Sequence, residues 1–272
     1  MSNNPLIITA AICGAEVTKA DNPAVPYSAQ ELALEAQRCY EHGARVIHLH
    51  VRNEDGSATQ SKDVFAKAIA AIKEKVPDVI IQVSTGGAVG MTVDERTGPL
   101  DLAPEFCTLT TGTCNFGNDV FENSMPMIEA IAKKANAAGT RIEVEVFDAG
   151  FVDNALTLVK KGIIPEPLHF DFVLGVPGAM TGTVDRLEFL LSTIPQNATW
   201  TVAGVGRFEM PLAKAAIEKG GHVRVGLEDN IYLSKGVLAQ GSWELVKNVT
   251  EMAAQAGRPL ATHQQARQIL GI

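Results

Sequence analysis

The sequence has few cysteines and no cysteine motif. Its 272 residues include four cysteines, and no two of them form a CxxC pair. This spacing argues against a cysteine-ligated zinc cluster, and it is typical of reduced thiols rather than of a disulfide framework. We therefore predict that the cysteines pack as small apolar side chains in a cytoplasmic protein.

The chain also lacks long apolar runs and an excess of positive charge. No run reaches the ~18 apolar residues of a membrane span, and the first residues lack the basic and apolar regions of a secretory leader. We therefore expect neither secretion nor insertion into a membrane. The 23 lysines and arginines face 31 acidic residues, for a net charge of −8, which argues against a nucleic-acid partner.

No Ser/Pro-rich linker or low-complexity tract divides the chain. Instead, short apolar segments alternate with helical patterns, as expected for parallel strands that helices cover on both faces. Eight such segments predict a single (β/α)8 barrel domain, residues 1–272, with a C-terminal helical extension. The predicted strands are residues 6–13, 45–51, 79–84, 106–111, 141–147, 169–174, 199–203 and 223–227.

One apolar segment, residues 44–52, contains His48 and His50 on either side of a leucine. Strand alternation places both imidazoles on the same face. Two imidazoles at a strand end indicate a divalent metal, and Glu228, at the end of another β-like segment, offers a carboxylate as a third ligand. The alternative interpretation is that the histidines are satisfied by hydrogen bonds, for example to the backbone, and bind no ion.

Other polar residues follow the predicted strands at the same end of the barrel. Functional groups of such barrels lie at the carboxyl ends of the strands, so these side chains predict an active site there. A structural role for Asp229, as a loop or helix cap, also stays open. The residues in question are Glu16, Arg52, Ser84, Thr108, Thr110, Glu143, Glu145, Arg224 and Asp229.

Gly204, Gly206 and Arg207 form a short turn after the seventh predicted strand. Backbone N–H groups of such a turn can bind the phosphates or thioester oxygen of coenzyme A, and Arg207 can pair with a phosphate. Alternatively, the glycines serve a steric purpose and Arg207 pairs with an acidic neighbour. The incomplete GxGxxG pattern gives little support to a dinucleotide-binding fold.

Seven motifs occur in order along the chain: residues 9–16 (TAAICGAE), 43–52 (GARVIHLHVR), 82–88 (QVSTGGA), 115–117 (NFG), 143–145 (EVE), 172–178 (FVLGVPG) and 221–230 (GHVRVGLEDN). Together they resemble the β-keto acid cleavage enzymes, and the resemblance extends over nearly the whole chain. Members of this family often carry an asparagine at the position of Thr110.

The resemblance implies a zinc-dependent barrel that converts a β-keto acid and acetyl-CoA into acetoacetate and a new acyl-CoA. It also implies a homotetramer. The implied roles are Zn²⁺ binding for His48, His50 and Glu228, acid–base chemistry for Arg224 and Asp229, catalysis and keto-acid binding for Ser84, keto-acid binding for Thr108, and recognition of the substrate's tail for Glu16. For Glu145 we predict substrate binding, and the alternative is that Glu143 or Glu145 orders Arg224 or coenzyme A.

A carboxylate such as Glu16 favours a cationic tail, as in 3-keto-5-aminohexanoate, an intermediate of lysine fermentation. Glu16 can equally pair with Lys19 or with an arginine of the protein. Two other functions stay open on the same fold. One is a metal-dependent aldolase or hydrolase, and the other is a catalytically silent ligand-binding barrel.

Overall fold

A computed structural model describes residues 4–272 and contains a closed barrel of eight parallel strands. Each barrel strand pairs with the next one along the chain, and the eighth pairs with the first, with Ile8 opposite Val223. This confirms the predicted (β/α)8 fold. The strands are β1 (Ile8–Ala11), β2 (Val46–Leu49), β3 (Ile80–Val83), β4 (Phe106–Thr110), β5 (Arg141–Val146), β6 (His169–Leu174), β7 (Thr199–Gly204) and β8 (His222–Val225).

Helices alternate with these strands and cover the outside of the barrel. The first begins at a capping box, in which the Ser28 hydroxyl accepts from the Glu31 N–H and the Glu31 carboxylate accepts from the Ser28 N–H. The helices are α1 (Ala29–Glu41), α2 (Lys62–Lys75), α3 (Val93–Arg96), α4 (Met125–Ala137), α5 (Ala149–Lys160), α6 (Val184–Leu191), α7 (Glu209–Lys219), α8 (Ser242–Gln255) and α9 (His263–Leu270), with short 3-10 turns at Gly98–Leu102 and Gly206–Phe208.

Several strands are shorter than the apolar segments that predicted them. At the start of the chain, Leu6 forms a bridge with Leu260 and therefore lies outside β1. At the other end of the barrel, β8 stops before Gly226, where a Cβ atom would lie 2.1 Å from the Ala11 carbonyl oxygen. This close approach of two backbones turns the chain and sets the direction of the residues that follow.

Three small hairpins that the sequence did not predict lie in loops after β2, β4 and β8. One of them, formed by Cys114–Phe116 and Asp119–Phe121, supplies Phe116 and Phe121 to the cavity described below. The other two pair Val51–Arg52 with Ala58–Thr59, and Tyr232–Ser234 with Val237–Leu238.

Helix α9 closes the amino end of the barrel. Its Ala266 and Leu270 pack in a buried cluster with Ile7, Val46 and other side chains that lie at or just before the starts of the strands. The opposite, carboxyl end therefore stays accessible. Within residues 4–272, no helix has both the length and the apolar character that crossing a bilayer demands.

Candidate active site

A cavity of ≈ 240 Å³ opens at the carboxyl ends of the strands. Many of the polar residues predicted from the sequence meet on its walls. They are Glu16, His50, Ser84, Glu145, Arg224, Glu228 and Asp229, and the rest of the lining is mostly apolar. Such a cavity, apolar with a few convergent polar groups, is the usual form of a small-molecule site.

The three predicted metal ligands face one another at this cavity, where His50 and Glu228 form part of the wall and His48 lies behind it. The ligand atoms of His48, His50 and Glu228 lie within 4.8 Å of one another. Both Nε2 atoms face the same Glu228 oxygen, at 3.5 and 3.6 Å, which is longer than an ordinary N–H···O hydrogen bond. The other Glu228 oxygen is buried and has no hydrogen-bond partner in the part of the chain that the structure describes. Two imidazoles and a carboxylate in this arrangement fit a divalent cation.

The barrel brings these ligands together from distant parts of the chain. His48 and His50 point the same way because they are two residues apart at the end of β2. Glu228 reaches them because the chain turns at Gly226. Gly14, with φ +72°, lies directly beside Glu228, and a Cβ atom there would come within 2.7 Å of the glutamate Cγ.

Burial lowers the pKa of His50 to about 4. Its imidazole is therefore neutral near pH 7, which is the form that binds metal. A hydrogen bond orients the ring of His48, because its Nδ1 lies 2.7 Å from the side-chain oxygen of Gln82. Gln82 is not among the site residues predicted from the sequence.

Arg224 and Asp229 form a buried two-pronged ion pair. The arginine Nε and Nη2 donate to the two carboxylate oxygens at 2.9 and 3.0 Å, and Nη2 also donates to Glu228 at 2.7 Å. The acid–base candidate is thereby fixed next to a metal ligand. Burial raises the pKa of Asp229 to about 6 against the opposing effect of Arg224, a range suited to proton exchange near neutral pH.

The other side of Arg224 contacts two further carboxyl groups. Its Nη1 lies 3.2 Å from Glu145 and 3.4 Å from Asp171, and Thr110 donates to the second Glu145 oxygen at 2.8 Å. Asp171 was missed by the sequence reasoning. It alternates with His169 on the inner face of β6. Two polar residues in alternate positions of a buried strand are a signal that could have drawn attention to Asp171, but they do not reveal its contact with Arg224.

Ser84, Thr108 and Glu16 differ in their relation to the cavity. Ser84 lines it, and its hydroxyl oxygen accepts from the Gly86 N–H at 3.1 Å. Thr108 is fully buried beside Thr85, whose N–H it accepts at 3.4 Å, and it is not among the lining residues. Glu16 is exposed at the cavity and has no hydrogen-bond or ion-pair partner within residues 4–272. Lys19 pairs with Glu31 instead, at 2.6 Å.

The predicted coenzyme A turn does not line the cavity, apart from its Val205. A Cβ atom on Gly204 would lie 2.4 Å from the Phe208 carbonyl oxygen, so a larger residue at this position would clash with the backbone. The Gly206 N–H already donates to the Asp229 carbonyl at 2.8 Å. Arg207 is exposed, and its guanidinium lies 4.9 Å from the Phe208 ring centre.

Comparison with known proteins agrees with this geometry. The family model described as beta-keto acid cleavage enzyme matches residues 5–272. The chain belongs to the β-keto acid cleavage enzyme family.

Relatives of this β-keto acid cleavage enzyme have been named for related reactions. The chain is 54% identical to the 3-keto-5-aminohexanoate cleavage enzyme of Fusobacterium nucleatum and 53% identical to that of Acetoanaerobium sticklandii, each over 98% of both chains. It is 39% identical to the 3-oxoadipate:acetyl-CoA acetyltransferase of Cupriavidus necator, over 98% of this chain and 95% of that one.

A solved structure, the ternary complex of ObcA with a C4-CoA adduct and oxalate, resembles the barrel with a TM-score of 0.77. The match covers 92% of this chain and 68% of ObcA at 22% identity, so it shows the shared fold.

An aromatic wall completes the site of this family member. Phe116, Phe121 and Phe147 line the cavity and contact one another edge to face, with ring centres 6.0–6.2 Å apart. Arg96 supports the wall from behind: its guanidinium lies 5.2 Å from the Phe121 ring centre and donates to the Asn123 side chain. The sequence reasoning did not predict this wall, because its members come from a hairpin and from the end of β5.

Proposed function

We propose that this enzyme converts a β-keto acid and acetyl-CoA into acetoacetate and a new acyl-CoA at a zinc ion. The observation that carries the proposal is the meeting of His48, His50 and Glu228 with the Arg224–Asp229 ion pair in one cavity. The relatives named for keto-acid cleavage and for acetyl-CoA acyl transfer support it.

His48, His50 and Glu228 would hold the metal. A divalent ion bound there supplies positive charge that polarises the keto oxygen and acidifies the carbon between the two carbonyl groups. Two imidazoles and one carboxylate are a usual ligand set of catalytic zinc, which leaves a position open for a ligand. We therefore propose zinc as the metal.

Asp229 takes a proton from the carbon between the two carbonyls, and Arg224 keeps its carboxylate in place. The resulting carbanion attacks the thioester carbonyl of acetyl-CoA and displaces the coenzyme A thiolate. The thiolate then adds to the former ketone carbon, and the bond between that carbon and the carbanion carbon breaks. This releases the new acyl-CoA, and Asp229 returns its proton to the carbon of acetoacetate.

Ser84 and Glu145 assist in different ways. The Ser84 oxygen accepts the Gly86 N–H, so its own hydrogen remains to donate to an oxygen of the keto acid. Both Glu145 oxygens have protein partners, so we assign this residue to holding Arg224 at the cavity wall. For Thr108, which lies behind Thr85, we propose an indirect role in shaping the strand end that carries Ser84.

Glu16 gives the proposed substrate its chemical class. An unpaired carboxylate beside an apolar cavity suits a cationic tail, and the 5-amino group of 3-keto-5-aminohexanoate provides one. Two relatives above 50% identity are named for this compound. We propose it, or another keto acid with a cationic tail, as the substrate.

We further propose that the enzyme serves lysine fermentation in the cytoplasm as a homotetramer. The family resemblance supports this setting, and so do the free cysteines, three of which are buried. Exposed apolar side chains on the hairpin after β8, Tyr232, Val237 and Leu238, offer surface for a subunit contact. Light scattering on the purified protein tests the tetramer, which a mass other than that of four chains would contradict.

The reaction is tested by offering the zinc-loaded enzyme acetyl-CoA labelled with ¹³C in the acetyl group. The keto acids would be 3-keto-5-aminohexanoate, its neutral counterpart without the amine, and a quaternary-ammonium analogue. We expect mass spectrometry to find the label in acetoacetate together with an unlabelled new acyl-CoA, with the cationic acids turned over faster.

Other outcomes would point to the alternative functions. Cleavage without acetyl-CoA indicates an aldolase or hydrolase, and the absence of turnover with every acid indicates a silent ligand-binding barrel.

A further inference from the structure

A column of buried polar side chains runs from His48 toward the amino end of the barrel. The Gln82 side-chain oxygen lies 2.7 Å from His48 Nδ1, and the Gln82 nitrogen donates to Glu143 at 2.7 Å. The second Glu143 oxygen lies 3.1 Å from Nε2 of His169. All four side chains are at most 2% exposed. The column is not part of the cavity wall and has no role in the proton transfers described above.

The hydrogen bonds in this column have a definite direction. His48 turns its Nε2 toward Glu228, so the ring proton belongs on Nδ1, where the amide oxygen of Gln82 accepts it. The amide nitrogen in turn donates to Glu143.

At the end of the column nearer the amino end of the barrel, burial lowers the pKa of His169 to about 3, which leaves its ring neutral. Its Nδ1 contacts the Thr199 hydroxyl at 2.7 Å. Its Nε2 contacts the Thr201 hydroxyl at 3.0 Å, beside Glu143. Glu143 therefore accepts a hydrogen bond from Gln82 and faces a neutral ring on its other side.

We propose that Gln82 is a positioning residue for the metal centre. It holds His48 in the tautomer and orientation that present Nε2 to the ion, and Glu143 polarises it from behind. This inference rests on the proposed function only in taking His48 as a metal ligand. Metal-binding histidines commonly pass their second N–H to a carboxylate, and here an amide lies between the two.

The interposed amide has a physical reason. Glu228, Asp229, Glu145 and Asp171 already surround Arg224 above the column. A carboxylate in direct contact with His48 would add another acidic group beside them, whereas an amide transmits hydrogen-bond polarisation and carries no net charge. Glu143 lies one side chain further from the metal.

The test compares Gln82→Met, which keeps the side-chain length and removes both hydrogen bonds, with Gln60→Met. Gln60 is also buried and also donates two hydrogen bonds, but to backbone carbonyls and not to a metal ligand. Zinc affinity is measured by competition with a chelator, and the histidine tautomers by ¹⁵N NMR of the zinc-loaded protein. We expect Gln82→Met to weaken zinc binding by about 10- to 100-fold and Gln60→Met to leave it within about threefold.

A second variant, Glu143→Gln, replaces the carboxyl group by an amide of nearly the same size and so tests the acidic group separately from the packing of the side chain. Its amide oxygen can still accept from Gln82, and His169 can accept from its nitrogen by moving the ring proton toward Thr199. We expect weaker zinc binding than in the wild type and a changed visible spectrum of the cobalt-substituted protein.

Equal zinc affinity in Gln82→Met and wild type, or a wild-type His48 with its proton on Nε2, would overturn the inference. A wild type that binds zinc but lacks turnover would refute the proposed reaction and leave the positioning role standing.

Discussion

At the scale of single residues, Arg224 organises the site. Its guanidinium contacts four carboxyl groups, those of Asp229, Glu228, Glu145 and Asp171. Only the planar, five-donor group of arginine can serve so many partners, because lysine is a point charge with three donors. The acid–base residue, a metal ligand and the cavity wall therefore share one buried cation.

The first prediction concerns Asp229. Asp229→Asn keeps the size of the side chain but removes its ability to accept a proton. We expect kcat to fall by about 10²–10⁴-fold with the amide in place of the base. The zinc content, measured by elemental analysis, should stay at the wild-type value because Asp229 is outside the ligand set. Near-normal turnover with zinc bound would refute Asp229 as the base.

A second prediction concerns Glu16. Glu16→Gln removes the charge that faces the substrate's tail, and a hydrogen bond to a charged group contributes ~1.5–3 kcal/mol. We expect KM for 3-keto-5-aminohexanoate to rise about 10- to 100-fold, as that energy implies. The neutral acid of the same length provides the control in steady-state assays. Equal effects on both acids would remove Glu16 from tail recognition.

At the scale of elements, the sequence predicted the barrel strands well because parallel strands buried on both faces are continuous apolar segments. The three hairpins were not predicted, because strands of two or three residues are too short to show an alternation of apolar and polar residues.

Within the site, His48 and His50 were predictable from their spacing along one strand. Gln82 and Asp171 were not, because their roles depend on which atoms of neighbouring strands face each other, and that is fixed only by the register of the closed barrel.

The loop after β1 offers a test of how elements meet at the metal site. Gly14→Ala places a Cβ against Glu228, whereas Gly139→Ala introduces similar backbone strain, at φ +69°, with no atom within 4 Å. We expect each variant to lose about 1–2 kcal/mol of stability from its left-handed backbone. Only Gly14→Ala should also bind zinc more weakly, on the order of tenfold, in chelator competition. Equal zinc affinities of the two variants would contradict this prediction and would mean that Glu228 can shift away from the new Cβ and still bind the metal.

At the scale of the whole molecule, a buried histidine links stability to pH. His222 accepts the Ile7 N–H at 3.1 Å, across the seam where β8 meets β1. Burial, with smaller effects of His169 and Arg258, holds the pKa of His222 well below its usual 6.5. Below pH 6.5 the unfolded chain therefore binds a proton that the folded protein does not, so this contribution to stability falls as the pH falls.

His222→Asn should remove that dependence while an amide oxygen still accepts the Ile7 N–H. We expect the wild type to lose stability relative to the variant by about 1.4 kcal/mol for each pH unit below 6.5. Urea unfolding of both proteins at pH 7, 6 and 5 measures the difference. Parallel stability curves would show that His222 titrates alike in the folded and unfolded chains.

The pairing of β1 with β8 also determines when the active site can assemble during synthesis. Ile7 meets His222, 215 positions further along the chain, so during synthesis the edge of the first strand stays unpaired until the eighth strand leaves the ribosome. The metal ligands are also far apart in the chain, because the two histidines emerge early and Glu228 emerges just after the closing strand. Metal capture by all three ligands thus reports a completed barrel, and a chain that stalls before Glu228 has neither the closed sheet nor the ligand set.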